Sequence, residues 1–265
     1  MQPSDVKQLL VLGAGFTGAE LVRRAQAQGT PVVATVRRAE QVAALCALGA
    51  EALLLESLDE SIRAHVDVGT HVVVTFPPDG STDARIAPWL ATAGAITYIS
   101  STGVYDSVHG HIDDSTPLPS PTPSTAPRLA AEAEYRRYGA CVLRCPGIYG
   151  AERGLHRRLL LGEYSLPGDG TDSTSRIHVA DLATFVFQSV LAPGETFVVG
   201  DLEPAAQRDV VSWICATYGV PFPSSAPRES VHRTLRANRA IDSSRARRLL
   251  NVDLRYPTFR DGMKP

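Results

Sequence analysis

Short apolar runs alternate with helical stripes along the first part of the chain. Leu9–Leu12, Val32–Val36, Ala52–Leu55, Val72–Thr75 and Ile96–Ser100 are nearly continuous apolar segments, as expected of strands covered on both faces. Between them, Leu21, Val22 and Ala25, then Val42, Leu45 and Leu48, then Ile86, Trp89, Leu90 and Ala93 recur at helical spacing. Strand and helix alternating in this way predict βαβ units and a doubly wound parallel sheet, an α/β fold of Rossmann type. Ser115 to Pro127 is rich in Pro, Ser and Thr and predicts a long surface loop, a candidate lid. Beyond it the pattern predicts a helix over about 129–138 and a strand over 140–144. A further helix carries Val179, Leu182, Ala183, Val186 and Val190 on one face, and Phe197–Val199 reads as a strand. Val210, Val211, Ile214 and Tyr218 mark another helix, and a short one is expected near 243–250.

Composition narrows the class. The chain has 265 residues, 44% hydrophobic and 20% charged, with a net charge of −2, which suits a globular protein and argues against disorder. That charge creates no field to attract nucleic acid or an anionic membrane. No signal-peptide pattern or long apolar run is present, so a cytoplasmic location is expected. Cys46, Cys141, Cys145 and Cys215 fit neither a disulfide framework nor paired zinc-ligand spacing. The only lysines are Lys7 and Lys264, at opposite ends, so every other member of the 26 basic residues is arginine.

The strongest chemical signal is Gly13-Ala-Gly15-Phe16-Thr17-Gly18, a GxGxxG loop between the first predicted strand and helix. Gly13 permits the tight turn, Gly15 lets the backbone approach a pyrophosphate, and Gly18 allows close helix–strand packing, while the helix start offers N–H groups and positive dipole. Dinucleotide binding is the expectation. At the end of the second strand, where NAD sites place a carboxylate for the ribose, the chain has Arg37 and Arg38, with no acid before Glu40. Two guanidiniums there favour the 2′-phosphate of NADP, with NAD as the alternative.

Three further segments resemble the extended short-chain dehydrogenase/reductase superfamily, the NAD(P)-dependent epimerase/dehydratase group. They are Ile99-Ser-Ser-Thr-Gly-Val-Tyr105, Val142-Leu-Arg-Cys-Pro-Gly-Ile-Tyr-Gly150 and Arg176-Ile-His-Val-Ala-Asp181, with Gly168-Asp-Gly170 before the last. Ile241-Asp-Ser-Ser-Arg and Tyr256-Pro resemble the group's C-terminal segment. The resemblance covers nearly the whole chain and implies a nucleotide-binding domain from 1–150 plus a helix at about 178–191. A small substrate lobe would come from 151–175 and 200–265. It also implies a serine at Ser101 that binds the reacting oxygen, and cofactor contacts from Thr75, Phe76 and Pro146.

In that family a Tyr-x-x-x-Lys pair carries the proton chemistry. Here Arg128 stands four residues before Glu132, where the lysine is expected, so the pair reads Ser124-x-x-x-Arg128. Arg128 can still hold a ribose. Ser124 cannot replace a phenol, being shorter and far less acidic. Tyr105 is the best-placed substitute acid from sequence, with a pocket-lining role as its alternative, and Tyr149 is a weaker candidate. The resemblance implies an oxidoreductase or epimerase/dehydratase on a small polar or sugar-like substrate. A non-catalytic NADP-binding sensor is the alternative that Ser124 and Arg128 raise.

Other chemistry-bearing residues carry less. Arg176 resembles an arginine beside the substrate, or else pairs with Asp172 or Asp181. His109, His111, Asp113 and Asp114 have metal-ligand chemistry but no distant ligand to join them, so a solvated loop and no metal is expected. Cys145 falls where the family has proline and is expected near the nicotinamide. His178 and Asp181 suit the start of a helix. The expected partner is a small molecule, neither nucleic acid nor membrane, with a homodimer as the assembly to test.

Overall fold

The computed structural model describes residues 1–265, apart from the side chain of Arg233. The apolar runs form one sheet: β1 (Gln8–Leu12), β2 (Val32–Val36), β3 (Glu51–Leu54), β4 (Thr70–Val74) and β5 (Ala95–Ser101). After a short outlying strand, β6 (Gly110–Ile112), the chain returns as β7 (Cys141–Cys145) beside β5, and Thr196–Val198 closes that edge. The spatial order is β3-β2-β1-β4-β5-β7 followed by Thr196–Val198, every pair parallel. The order reverses between β1 and β4, the switch point at which open α/β sheets bind ligands beyond their strand ends. Strands β2, β4 and β7 are buried at every position. The edge strand β3 is not, which corrects the expectation that all five apolar runs are covered on both faces.

Helices cover the two faces. On one, Leu21, Val22 and Ala25 of α1 (Phe16–Ala27) meet Leu182, Ala183 and Val186 of the later helix Val179–Gln188 over Val11 and Leu143. Leu45 of α2 (Ala39–Ala47) joins that face. On the other, Ile86, Ala87, Leu90, Ala131 and Tyr135 pack over Leu10, Val72 and Val142. Each buried Leu, Ile or Val among these contributes about 1.5–3 kcal/mol.

Proline sets two element boundaries differently from the sequence pattern. The stripe at 86–93 is broken: α3 (Thr82–Ile86) ends and a 3₁₀ turn takes over at Ala87–Leu90, because Pro88 has no N–H for a continuing helix. Conversely, α4 (Ala126–Arg136) starts inside the proline-rich stretch, with Pro127 in its first turn, where the missing N–H has no partner to lose. This places Arg128 on a helix.

A second cluster lies outside the sheet. Tyr149, Leu159, Tyr164, Leu166, Val210, Ile214, Phe259 and Met263 pack together, drawing on β8 (Gly147–Tyr149), α5 (Leu155–Leu160) and the helix Gln207–Tyr218. Asp181 ties the C-terminal segment to the sheet domain by accepting the N–H groups of Arg255 at 2.7 Å and Tyr256 at 2.9 Å. His178, by contrast, caps its own helix, its Nδ1 accepting the N–H of Ala180 at 3.2 Å. No helix among the described residues is long and apolar enough to cross a membrane.

Candidate active site

The glycine loop is built as its sequence requires. Gly13 has φ +90°, and a Cβ there would meet the Phe76 Cβ at 2.9 Å. A Cβ on Gly18 would lie 3.1 Å from Val11 Cγ1 and Ala14 Cβ, so this glycine sets the helix–strand distance. Gly15 differs, since its Cβ would meet no atom within 4 Å. Two threonines fix the loop: the Gly13 N–H donates to Thr35 Oγ1 at 2.9 Å, and Thr75 Oγ1 donates to the Gly13 carbonyl at 2.5 Å. The start of α1 has neither a side-chain cap nor an acidic residue in its first turn. Its N–H groups and positive end are left for an anion.

This loop floors a cleft of about 930 Å³ whose walls come from strand ends: Thr35–Arg38 at the end of β2, Thr75–Pro77 after β4, Ile99–Ser101 of β5 and Cys145–Ile148 from the end of β7. Phe16, Thr17, Phe76, Pro146, Arg37 and Arg38 all line it. Arg38 Nε lies 3.4 Å from Glu40 Oε1 in an exposed pair, which contributes little. Arg37 has no carboxylate partner among the described residues. An uncapped helix start, an open glycine and a cleft of this size fit a dinucleotide.

A second cavity of about 450 Å³ adjoins the first. Ser101, Arg128, Pro146, Gly147, Ile148 and Thr234 line both, so the two are continuous. Ser101 Oγ accepts the Gly103 N–H at 3.0 Å and thereby starts a 3₁₀ turn, Thr102–Tyr105. The bond uses an oxygen lone pair and leaves the Ser101 proton available to a ligand. Ser124, Tyr149 and Arg176 line this second cavity too. Arg128 Nη1 makes only a long 3.5 Å contact to Tyr98 OH.

Tyr105 is the main correction. Its ring is fully buried and lines neither cavity; its hydroxyl accepts Arg144 Nη1 at 2.8 Å. The 3₁₀ turn rotates the ring away from the strand ends and into a polar network. There Glu132 accepts Arg144 Nε at 3.1 Å, Arg144 Nη2 at 2.7 Å and Ser100 Oγ at 2.5 Å. Desolvation raises the Tyr105 phenol further, against the pull of Arg144. The structure brings it to neither cavity, against the placement expected for an acid or a pocket wall, and its hydroxyl instead completes the hydrogen-bond shell of Arg144. Tyr149 does reach the cavity, but burial raises its phenol as well, and Gly262 packs directly on its ring.

Other expectations resolve similarly. Arg176 pairs with neither Asp172 nor Asp181, because Asp172 holds Arg228 at 3.1 Å and Asp181 holds the C-terminal backbone. Instead its Nη2 donates to Thr174 O and Oγ1 at 2.9 and 2.8 Å, with the guanidinium 5.0 Å over Phe259. Cys145 lines the larger cleft, yet burial pushes its thiol up, away from thiolate chemistry. In the 109–114 loop, Asp114 accepts the Val198 N–H at 2.5 Å and Arg245 Nη1 at 3.1 Å. Asp113 is bonded to Ser115 and Thr116 within its own turn. No group of three or more metal-ligating side chains occurs among the described residues.

Sequence reading missed Asp106 and Arg158, which line the second cavity; Arg239, one of the C-terminal arginines whose excess over acids suggests an anionic substrate or a solvated face, lines it too. Ser124 Oγ lies 3.5 Å from Asp106 Oδ2, so a carboxylate stands beside the position of the absent tyrosine. Arg128, Arg158, Arg176 and Arg239 all line this cavity. None has a carboxylate within 4.0 Å among the described residues, and Asp106 is the one acid on the wall. These residues arrive from separate loops and short elements, so no periodic pattern announced them.

The chain belongs to the NAD dependent epimerase/dehydratase family, whose model matches residues 9–200. No curated protein matches it. A conserved protein of unknown function from Silicibacter pomeroyi DSS is similar in structure, with 29% identity, TM-score 0.83, and 97% of this chain and 96% of that one covered. MoeE5 in complex with UDP-glucose and NAD superposes with TM-score 0.80 at 21% identity over 97% and 96% of the two chains. UDP-glucuronic acid 4-epimerase from Bacillus cereus in complex with NAD does so with TM-score 0.77 at 17% identity over the same shares. At those identities the last two bear on the fold alone.

Proposed function

We propose that this chain is an NADP-dependent oxidoreductase or epimerase/dehydratase acting on a small, polar, anionic substrate. The observation that carries the reading is the continuity of the dinucleotide cleft with the arginine-lined cavity at Ser101 and Arg128. The Gly13–Gly18 loop and the start of α1 would hold the pyrophosphate, Arg37 and Arg38 a 2′-phosphate, and Arg128 the ribose beside the nicotinamide. When bound, the nicotinamide supplies hydride acceptance and donation.

Ser101 orients the reacting oxygen by donating its free proton. Ser124 alone is too weakly acidic to act as the family's tyrosine. Its hydroxyl and the Asp106 carboxylate form the proton route instead. As the substrate hydroxyl gives its proton to Ser124 Oγ, the proton of Ser124 passes to Asp106 Oδ2 and then to solvent, since Asp106 is exposed. Four unpaired guanidiniums against one carboxylate favour a substrate with negative charge.

Calorimetric titration with NADPH and NADH tests the cofactor. NADPH should bind more tightly than NADH, and binding of neither would overturn the reading. A screen of anionic carbonyl compounds, followed by nicotinamide absorbance, then tests turnover. A second reading, a non-catalytic NADP-binding sensor, is favoured by the serine at position 124. It predicts NADPH binding with no turnover in the native chain, and turnover gained when Ser124→Tyr and Arg128→Lys restore the family's pair.

A further inference from the structure

We infer that Arg153 is a ligand of the cofactor's pyrophosphate, reaching it from the wall opposite the glycine loop. The inference rests on the dinucleotide reading of the cleft. A pyrophosphate carries two negative charges, whereas the Gly13–Gly18 loop contributes N–H dipoles and no cation. Arg153 lines the cleft from the turn after β8. That turn is closed by reciprocal hydrogen bonds, Gly150 N–H to Arg153 O at 2.8 Å and Arg153 N–H to Gly150 O at 3.0 Å. The Arg153 guanidinium lies over the Phe16 ring, 5.3 Å from its centroid. Phe16 is the first residue of α1 and part of GxGxxG.

Contact between the two walls is close. A Cβ on Gly150 would come within 3.1 Å of Phe16 Cζ, so glycine at 150 lets the turn approach the ring. The cation–π contact holds the guanidinium beside the ring while its N–H groups stay free for a ligand. Among the described residues Arg153 has no carboxylate within 4.0 Å and no side-chain hydrogen bond; its neighbour Glu152 pairs with Arg157 at 3.8 Å. A planar cation held at the start of α1, with nothing to neutralise it, is suited to bidentate recognition of a phosphate. Its place over Phe16 separates it from Arg37 and Arg38, which follow β2 and face the ribose end.

The test compares NADPH, NADH and ADP-ribose binding to the full chain and to Arg153→Gln by calorimetry. Loss of one charge-assisted phosphate contact should weaken all three by about tenfold, leaving the NADPH-to-NADH ratio unchanged. Arg153 is exposed, so the variant should melt with the wild type, and Arg153→Lys, which keeps the charge, should recover part of the affinity. Wild-type affinity of Arg153→Gln for all three ligands would overturn the assignment. So would a loss confined to NADPH, which would make Arg153 a 2′-phosphate reader. If the native chain binds none of them, the cofactor reading itself falls, an outcome distinct from failure of the Arg153 assignment.

Discussion

Arg144 grips Glu132 through two hydrogen bonds, 3.1 Å and 2.7 Å long, in a pair with 8% and 1% side-chain exposure. The pair joins β7 to α4, and through Ser100 it reaches the residue next to Ser101. It therefore holds the two elements that present Ser101 and Arg128. Removing one partner leaves a buried charge alone, so Arg144→Met should lower stability by about 3–5 kcal/mol in urea denaturation. Tyr105→Phe deprives Arg144 of one acceptor and should cost about 1–3 kcal/mol. Because Tyr105 reaches neither cavity, that variant should keep NADPH affinity and turnover. Abolished turnover in folded Tyr105→Phe would restore it as the acid.

Arg37 and Arg38 stand in the cleft without the carboxylate that a ribose 2′-hydroxyl would want. Replacing both with glutamine should weaken NADPH by about tenfold or more, the loss of at least one charge-assisted hydrogen bond. NADH affinity should hardly change. Titration of intrinsic tryptophan fluorescence with each cofactor reads both. Equal losses for the two would remove the 2′-phosphate from the assignment.

The sheet was legible because its inner strands are buried on both faces, which writes them as unbroken apolar runs; edge strand β3 carries the same kind of run without that burial. The glycine loop was legible because each glycine answers a separate steric demand. Tyr105 was not. Adjacency to Ser101 placed it at the strand end, but the 3₁₀ turn over Thr102–Tyr105 decides which way the ring points, and Arg144 is 39 residues away in sequence. Local pattern likewise carried the stripe at 86–93 further than Pro88 permits. Asp106, Arg158 and Arg239 reach the second cavity only through the tertiary fold, from a loop, a helix of six residues and a strand of three, and Arg153 reaches the first from a tight turn.

Asp201 is 2% exposed, and neither carboxylate oxygen has a hydrogen-bond partner among the described residues. Burial raises it from 3.8 to about 7, against the opposing charge of Arg176. The folded chain thus holds a proton that the unfolded chain releases above its ordinary carboxylate value. The associated stability is fully present below about pH 4 and is lost as pH rises to about 7, after which it stays flat. Asp201→Asn, neutral throughout, should lack this slope and exceed the wild type in stability at alkaline pH. Urea melts of both proteins at about pH 5 and about pH 8 measure it. An identical slope in the variant would mean that Asp201 stays ionised in the fold.

Gly13 and Gly15 separate folding from binding within one loop. An alanine at Gly13 would sit at φ +90° with its Cβ 2.9 Å from Phe76 Cβ. Strain of about 1–3 kcal/mol should lower stability and disorder the loop, so cofactor affinity falls with it. Gly15 has φ −85°, and its Cβ would meet no protein atom within 4 Å. Gly15→Ala should therefore stay within about 0.5 kcal/mol of wild-type stability. Its affinity for NADPH should fall sharply, because the added methyl takes the space through which a pyrophosphate reaches the start of α1. Paired urea melts and NADPH titrations of the two variants distinguish these effects. Undiminished NADPH binding by Gly15→Ala would show that the phosphates do not approach the loop at Gly15, and the cradle would have to lie elsewhere along the cleft.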